Sequence, residues 1–331
     1  MMGTVGIIAN PYSSKDIRRL TGSARIVTDW EKVNVLRRII IGLQSFQVAR
    51  IIAMDDNAHL VRRAINHPGI TADVEFLELP IRGNANDTLL ASQQMAEKEI
   101  DVLISLGGDG TNRMIAKGFD KHTVLPVSTG TNNVFPYDLE GTHVGICAGL
   151  IASQAVDKDD CTVQSKQIVV TLENGDKDLA LVDLAISTAN FVASRAIWDF
   201  NNLDEVFLTR CELLDLGLAS VGARLQTIGI EDEQGLMYKI AKSSEMSKKI
   251  LSPIGPGTIQ EVLISDWGLI NKGQVITRNI SRCTLAFDGE REIQITNEQN
   301  IQIELIRKGP FIVDVSACLE HAAQQGDFYL E

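Results

Sequence analysis

The sequence predicts an α/β chain in two parts, a parallel sheet flanked by helices followed by a β-rich region, and three observations carry that prediction. The chain has 331 residues, about two domains at roughly 150 residues each. It is 44% hydrophobic with a mean hydropathy of +0.04, enough apolar side chain to fill two cores. Over residues 1–140 short apolar runs alternate with amphipathic stretches, the pattern of parallel strands joined by helices, and beyond them alternating β patterns are punctuated by turn dipeptides.

The runs 5–9, 48–54, 74–79, 102–106 and 124–127 are the strands of the first part. Thr28 with Glu31 three residues on reads as a capping box, and Leu36, Ile39, Ile40 and Leu43 follow at helical spacing. A second helix starts at Asn57, buries Leu60, Val61, Ala64 and Ile65, and ends before Pro68, whose ring cannot continue it. A third spans 87–99 with Leu89, Leu90, Met95 and Ala96 inward, and another helical stretch covers 144–155.

In the second part, 168–172 and 179–186 flank Asn174-Gly175, and 284–287 and 292–295 flank Asp288-Gly289; both pairs of residues tolerate the positive φ of a tight hairpin. Ile301, Ile303 and Leu305 alternate with polar residues. Residues 198–218 fit neither period, and 239–257, polar and ending in Pro253-Ile254-Gly255-Pro256-Gly257, reads as an irregular loop. Val315, Cys318, Leu319 and Ala322 form one apolar stripe expected to pack back on the first domain. The expected organisation is an α/β domain over 1–140, a β-rich domain over 141–310 and a C-terminal helix in 311–331.

Charge narrows the function. With 31 basic and 43 acidic residues the net charge is −12, a field that repels polyanions and argues against nucleic-acid or anionic-membrane binding. Any phosphate must be held locally. No run approaches 18 apolar residues and the first ten residues lack a secretory pattern, so the expectation is a cytoplasmic chain without membrane insertion. The cysteines Cys147, Cys161, Cys211, Cys283 and Cys318 are scattered, as expected of reduced buried thiols, and the five histidines show no zinc-ligand spacing.

The strongest local signal is the apolar strand 102–106 running into Gly107-Gly108-Asp109-Gly110-Thr111-Asn112 and then a helix. At the carboxyl edge of an open α/β sheet, strand ends converge on helix N-termini whose free amides and partial positive charge attract phosphate. Asp109 sits where a substrate hydroxyl and a phosphate would meet, placed to accept a proton or orient magnesium. The competing reading is a tight turn with Asp109 or Thr111 as an ordinary cap. A second loop, Thr129-Gly130-Thr131-Asn132-Asn133, follows the next strand, and two such loops side by side can grip a triphosphate and an adenosine.

The remaining candidates each carry two readings. Asp183, inside the apolar run 179–186, is either a site residue or a strand residue on a solvated face. Asp288-Gly289-Glu290 is either an acidic site element or plain hairpin chemistry with Glu290 in solvent. Arg195 and Trp198 offer a cation and a stacking surface for a nucleotide, or ordinary packing. The sequence holds no G-x-x-x-x-G-K-[ST], G-x-G-x-x-G or G-x-S-x-G motif, which disfavours P-loop ATPases, conventional dehydrogenases and serine hydrolases.

Gly107-Gly108-Asp109-Gly110-Thr111 after an apolar strand, Thr129-Gly130-Thr131-Asn132 about twenty residues on, and Asn10-Pro11 after the first strand together resemble the superfamily of NAD kinases, diacylglycerol kinases and 6-phosphofructokinases. Within it the chain looks most like the ATP-NAD kinase-like proteins of the acetoin-catabolism X (AcoX) branch. The resemblance implies an N-terminal Rossmann-like α/β domain, a β-rich C-terminal domain for substrate and oligomerisation, and a site between them where ATP, with Mg2+, donates its γ-phosphate. It implies that Asp109 activates the acceptor hydroxyl and that Gly107, Gly108, Gly110 and Thr111 surround phosphates. Asn10, Asn112, Thr129, Gly130, Thr131, Asn132 and Asn133 would complete the nucleotide site, with Asp183, Arg195 and Asp288 toward the substrate.

The match is not uniform. The 129–135 segment is closer to the lipid-kinase pattern than to the Asn-x-Gly-x-Leu-Gly-Phe of NAD kinases, no Gly-Ser-Thr-Ala-Tyr segment is present, and Val182-Asp183 stands where NAD kinases carry Asn-Glu or Asn-Asp. NAD, giving NADP, is the first acceptor implied. A lipid, a sugar or an acetoin-pathway metabolite is the alternative, and a nucleotide-binding sensor without turnover is the third reading. A homo-oligomer is expected.

Overall fold

The computed structural model describes residues 3–13, 26–46, 48, 50–130, 132–188, 200–243 and 247–329. Five parallel strands, β1 (Thr4–Ala9), β2 (Arg50–Ala53), β3 (Val74–Phe76), β4 (Val102–Gly107) and β5 (Thr123–Ser128), lie in the order β3-β2-β1-β4-β5. The short strand Phe311–Val313 adds beside β5, and Thr162–Gln164 closes that edge. Because the order reverses between β1 and β4, a crevice opens outside their carboxyl ends.

Helices cover both faces. On one, α1 (Asp29–Gln44) begins where the Thr28 hydroxyl accepts from the Glu31 amide at 3.2 Å and buries Leu36, Ile39, Ile40 and Leu43 against Val5 and Ile7. The short α2 (Leu60–Ile65) starts later than its periodicity suggests, because the Asp56 carboxylate takes the Ala58 and Leu60 amides and His59 turns through φ +53°. On the other face, α3 (Ala85–Glu97) and α4 (Asp109–Gly118) pack on Ile8, Ile52, Leu103 and Val124. The expected inward face of α3 is corrected. It buries Thr88, Ala91, Ser92 and Met95 and leaves Leu89 and Leu90 half-buried, because α4 approaches closely enough for the Ser92 hydroxyl to donate to Ile115 O at 2.8 Å. Small residues fit that contact and leucines do not.

Helix α5 (Gly141–Ala152) lies against α1, and Cys318 and Ala322 of the C-terminal helix Val315–Gln325 enter the same core. No described helix is long and apolar enough to cross a membrane. All five cysteines are buried free thiols.

The second part is a two-sheet sandwich. A seven-stranded sheet runs Lys248–Gly255, Thr258–Asn271, Gln234–Ile240, Leu203–Leu208, Asp183–Ser187, Cys283–Phe287 and Glu290–Ile295, and a four-stranded sheet runs Val275–Ile280, Gln299–Ile306, Gln167–Thr171 and Lys177–Ala180. Ile168, Val170, Leu184, Phe207, Leu285 and Ile303 fill the space between them.

Two expectations are overturned here. Residues 239–257 are not an irregular loop: the strand Lys248–Gly255 pairs with Thr258–Asn271, and the Pro-Gly cluster makes the turn between them, with Gly257 at φ +72°. This is the edge of the sheet, where lysines and Pro253 are tolerated because one side needs no ladder. The run 179–186 is two strands, Lys177–Ala180 and Asp183–Ser187, each in a different sheet. The ladder breaks between them because the amides of Leu181, Val182 and Asp183 donate to the Asp288 carboxylate instead.

Candidate functional site

Three loops meet at the crevice. The loop after β1 brings Asn10, whose Nδ2 donates to the Thr111 hydroxyl at 2.9 Å. The loop after β5 brings Thr129, whose hydroxyl donates to Ser13 Oγ at 2.6 Å and whose amide donates to Gly107 O at 3.1 Å. Between them β4 turns into α4. Lys32, on α1 and fully buried, locks the first loop: its ammonium donates to the carbonyls of Asn10, Pro11 and Ser13 at 3.1, 2.9 and 2.7 Å.

The turn itself explains its glycines. A Cβ on Gly107 would lie 2.5 Å from the Thr111 hydroxyl, and one on Gly108 would lie 2.9 Å from Asn133 Oδ1. Across the crevice, a Cβ on Gly130 would meet Asn133 Nδ2 at 2.6 Å. Asn133, donating to Ser128 Oγ at 2.8 Å, is therefore the wedge that two glycines admit. Asn112 is spent inside the turn: Oδ1 accepts from Ser105 Oγ at 2.6 Å and Nδ2 donates to Gly108 O at 3.0 Å. Gly108, Asp109 and Gly110 are half-exposed at the mouth.

Helix α4 opens with Gly108 as its N-cap and no side chain capping it, whereas Thr28, Asn84, Glu140 and Asp314 cap the other long helices of the first domain. Its first amides face the crevice with the positive end of the helix dipole. Asp109 does not cap them. Its Oδ1 accepts from the amides of Val134 and Phe135 at 3.1 and 2.8 Å, which fixes the carboxylate beside the helix start.

The second domain supplies the opposite wall. Asp288, at φ +50°, and Gly289, at φ +78°, make the hairpin turn, but Asp288 is 5% exposed and its carboxylate accepts from the amides of Leu181, Val182 and Asp183 at 3.0, 2.8 and 3.1 Å. Burial foremost, and the Asp109 charge, push its carboxyl up to about 7, against Arg113 and the amides. Arg113, 1% exposed and one turn along α4 from Asp109, donates to Leu179 O at 2.6 Å, pairs with Asp178 at 2.8 Å and lies 4.8 Å from the Phe287 ring centre. The crevice is thus bolted across the domain boundary next to both aspartates.

Asp183 is 8% exposed, so it is not on a solvated face. Its charge, after burial, holds the buried Tyr238 hydroxyl well above the ordinary phenol range, and strand alternation puts Asp183 on the Ala185 face of its sheet with Tyr238, away from the core between the two sheets. Thr131, Arg195, Trp198 and the Glu290 side chain lie outside the described residues.

Beside the second glycine loop a cavity of ≈ 490 Å3 is walled by Thr129, Gly130 and Asn133, by Glu31 and Val35 of α1, and by Pro256 of the second domain. Asn132 Oδ1, near Gly255, is buried with no hydrogen-bond partner among the described residues. Such an orphaned acceptor awaits a donor. Among the described residues no group of three or more His, Cys, Asp or Glu side chains can hold a metal.

Lys32, Arg113 and Arg210 were not legible as site residues in the sequence. Lys32 had a signal: it lies four residues before Leu36 and seven before Ile39, on the stripe that should be apolar. Arg113 had its spacing from Asp109; Arg210 had none.

Residues 5–138 match the ATP-NAD kinase N-terminal domain family, and residues 166–308 match the acetoin catabolism protein X C-terminal domain. Over 332 aligned positions the chain is 31% identical to acetoin catabolism protein X of Cupriavidus necator, covering 97% of this chain and 92% of that protein. Among solved structures, yeast NADH kinase complexed with NADH matches with a TM-score of 0.55 at 14% identity, covering 100% of this chain and 89% of that one, a likeness of fold. The chain belongs to the ATP-NAD kinase-like family, in its acetoin-catabolism X branch.

Proposed function

We propose that this protein transfers the γ-phosphate of ATP to a hydroxyl acceptor at the mouth of the Gly107–Thr111 turn. The observation that carries this reading is the uncapped start of α4, half-exposed at a topological switch point, with Asp109 held beside it. The amides of the first turn would take phosphate oxygens, and the Thr129 loop and Asn132 would border the nucleotide. Asp109 would orient the acceptor hydroxyl and receive its proton, since phosphoryl transfer depends mainly on placement and electrostatics.

Magnesium fits as a passenger of the nucleotide. It commonly takes one or two carboxylates, waters and substrate phosphates, and Asp109 would hold it through its water shell; Asp288, taken up by three amides, would not. When bound it supplies neutralisation of phosphate charge.

NAD is the first acceptor to test, given the fold shared with a kinase that was crystallised with NADH. A second reading keeps the chemistry and takes an uncharged hydroxyl compound. It is favoured by the cavity wall, where Glu31 and Asp138 repel anions and Arg38 is already paired with Glu140 at 2.8 Å. Incubation with labelled ATP, magnesium and a panel of NAD, lipid, sugar and small hydroxyketone acceptors decides between them. NADP formation supports the first, another phosphorylated product supports the second, and ATP binding without ADP release from any acceptor contradicts both and leaves a nucleotide sensor.

A further inference from the structure

We propose that Arg210, from the second domain, is a positioning residue for Asp109 and acts on it through a single peptide group. Arg210 is 6% exposed. Its Nη2 donates to the carbonyls of Val134 and Phe135, the latter at 2.9 Å, and its Nη1 donates to the Tyr137 hydroxyl at 3.2 Å. Its central carbon lies 5.5 and 5.6 Å from the ring centres of Phe135 and Tyr137. The same segment presents its amides to the other side, where Phe135 N–H and Val134 N–H donate to Asp109 Oδ1.

The peptide joining Val134 to Phe135 therefore has its oxygen on Arg210 and its N–H on Asp109. No described peptide bond is cis, so the two groups point in opposite directions from one rigid plane. A cation at the oxygen end draws electron density along the amide and strengthens the donor at the nitrogen end, the mutual polarisation of a hydrogen-bonded chain in a low-dielectric interior. The acceptor is a carboxylate, which makes the last bond charge-assisted. Asp109 is thus oriented from two domains: α4 carries its backbone, and Arg210 sets the two amides that hold its side chain. A residue that only packed the 134–137 segment would need no such alignment.

The test has two arms. The first is a double-mutant cycle in chemical denaturation with Arg210→Met, Asp109→Ala and the combination. If the two groups are linked, Arg210→Met changes the unfolding constant by a factor about fivefold or more smaller in the Asp109→Ala background than in wild type. Equal factors in both backgrounds overturn the inference. The second arm rests on the phosphotransfer reading. In Arg210→Met, kcat falls by about 10- to 100-fold, the usual scale for a group that orients a contact residue, while KM for ATP stays within about threefold. Arg210→Lys, which keeps the positive charge, recovers part of the loss. A change confined to KM, or none, overturns the inference. Should wild-type protein phosphorylate no acceptor, the phosphotransfer reading fails and the stability cycle still decides Arg210; should the methionine variant not fold, the lysine variant carries both arms.

Discussion

Asp109 and Asp288 are each set in a glycine-bearing turn and each gripped by backbone amides, yet their surroundings differ in kind. Asp109 stands half-exposed at an open helix end with two amides on it. Asp288 is sealed behind the crevice wall, takes three amides, and is driven toward its neutral form by burial. The first arrangement leaves a helix start without a side-chain cap at the mouth, whereas the second is spent on joining two strands of different sheets. The same residue type, set in two glycine-bearing turns, stands open to the crevice in one place and is spent on architecture in the other, and depth separates them.

Four changes test this contrast. The largest effect is expected at the open site. Asp109→Asn keeps the shape and removes the negative charge, so turnover measured with labelled ATP falls by about 10³-fold while ATP affinity in calorimetry stays nearly unchanged. Normal activity in that variant rejects the assignment. Next is the bolt between the two aspartates: Arg113→Met removes the bond to Leu179 O and leaves Asp178 with Lys117 alone, at 2.9 Å, and lowers unfolding free energy by about 2 kcal/mol. A change under about 1 kcal/mol in denaturant titration would show that the clamp is not structural.

The third prediction uses pH. Because the folded-state pKa of Asp288 lies above its ordinary value, the folded protein holds a proton that the unfolded chain has released, and stability is lost as pH rises from about 4 to about 7. Asp288→Asn should remove a slope approaching about 1.4 kcal/mol per pH unit across that window. His122, held below its ordinary value by burial, works in the opposite sense in both proteins, so the difference between them isolates Asp288. Parallel pH profiles would contradict the burial argument. The smallest effect is Thr111→Val, which deprives Asn10 of its acceptor and should lower the unfolding free energy by about 1 kcal/mol.

Much of the first domain was legible because its signals are local. Thr28 and the stripe from Leu36 to Leu43 specify α1 in sixteen residues, and the apolar run ending in Gly107 specifies a strand feeding a turn. The glycines were legible as a tight turn but not as the bed for Asn133, which arrives from another strand. What escaped was set by distant partners. Leu89 and Leu90 look like the inner face of α3 until α4 demands small residues there. The strand Lys248–Gly255 looks like loop because an edge strand answers to one neighbour only. Arg210 lies beyond any periodicity, since its role exists only where the 134–137 segment folds against the second domain.

Whether the open start of α4 seats nucleotide phosphate is decided by a crystal structure of the protein soaked with ATP and magnesium. Phosphate density is expected within hydrogen-bonding distance of the Gly110 and Thr111 amides, with Asp109 turned to its edge. ATP bound elsewhere, or an α4 terminus still empty at saturating nucleotide, would contradict it.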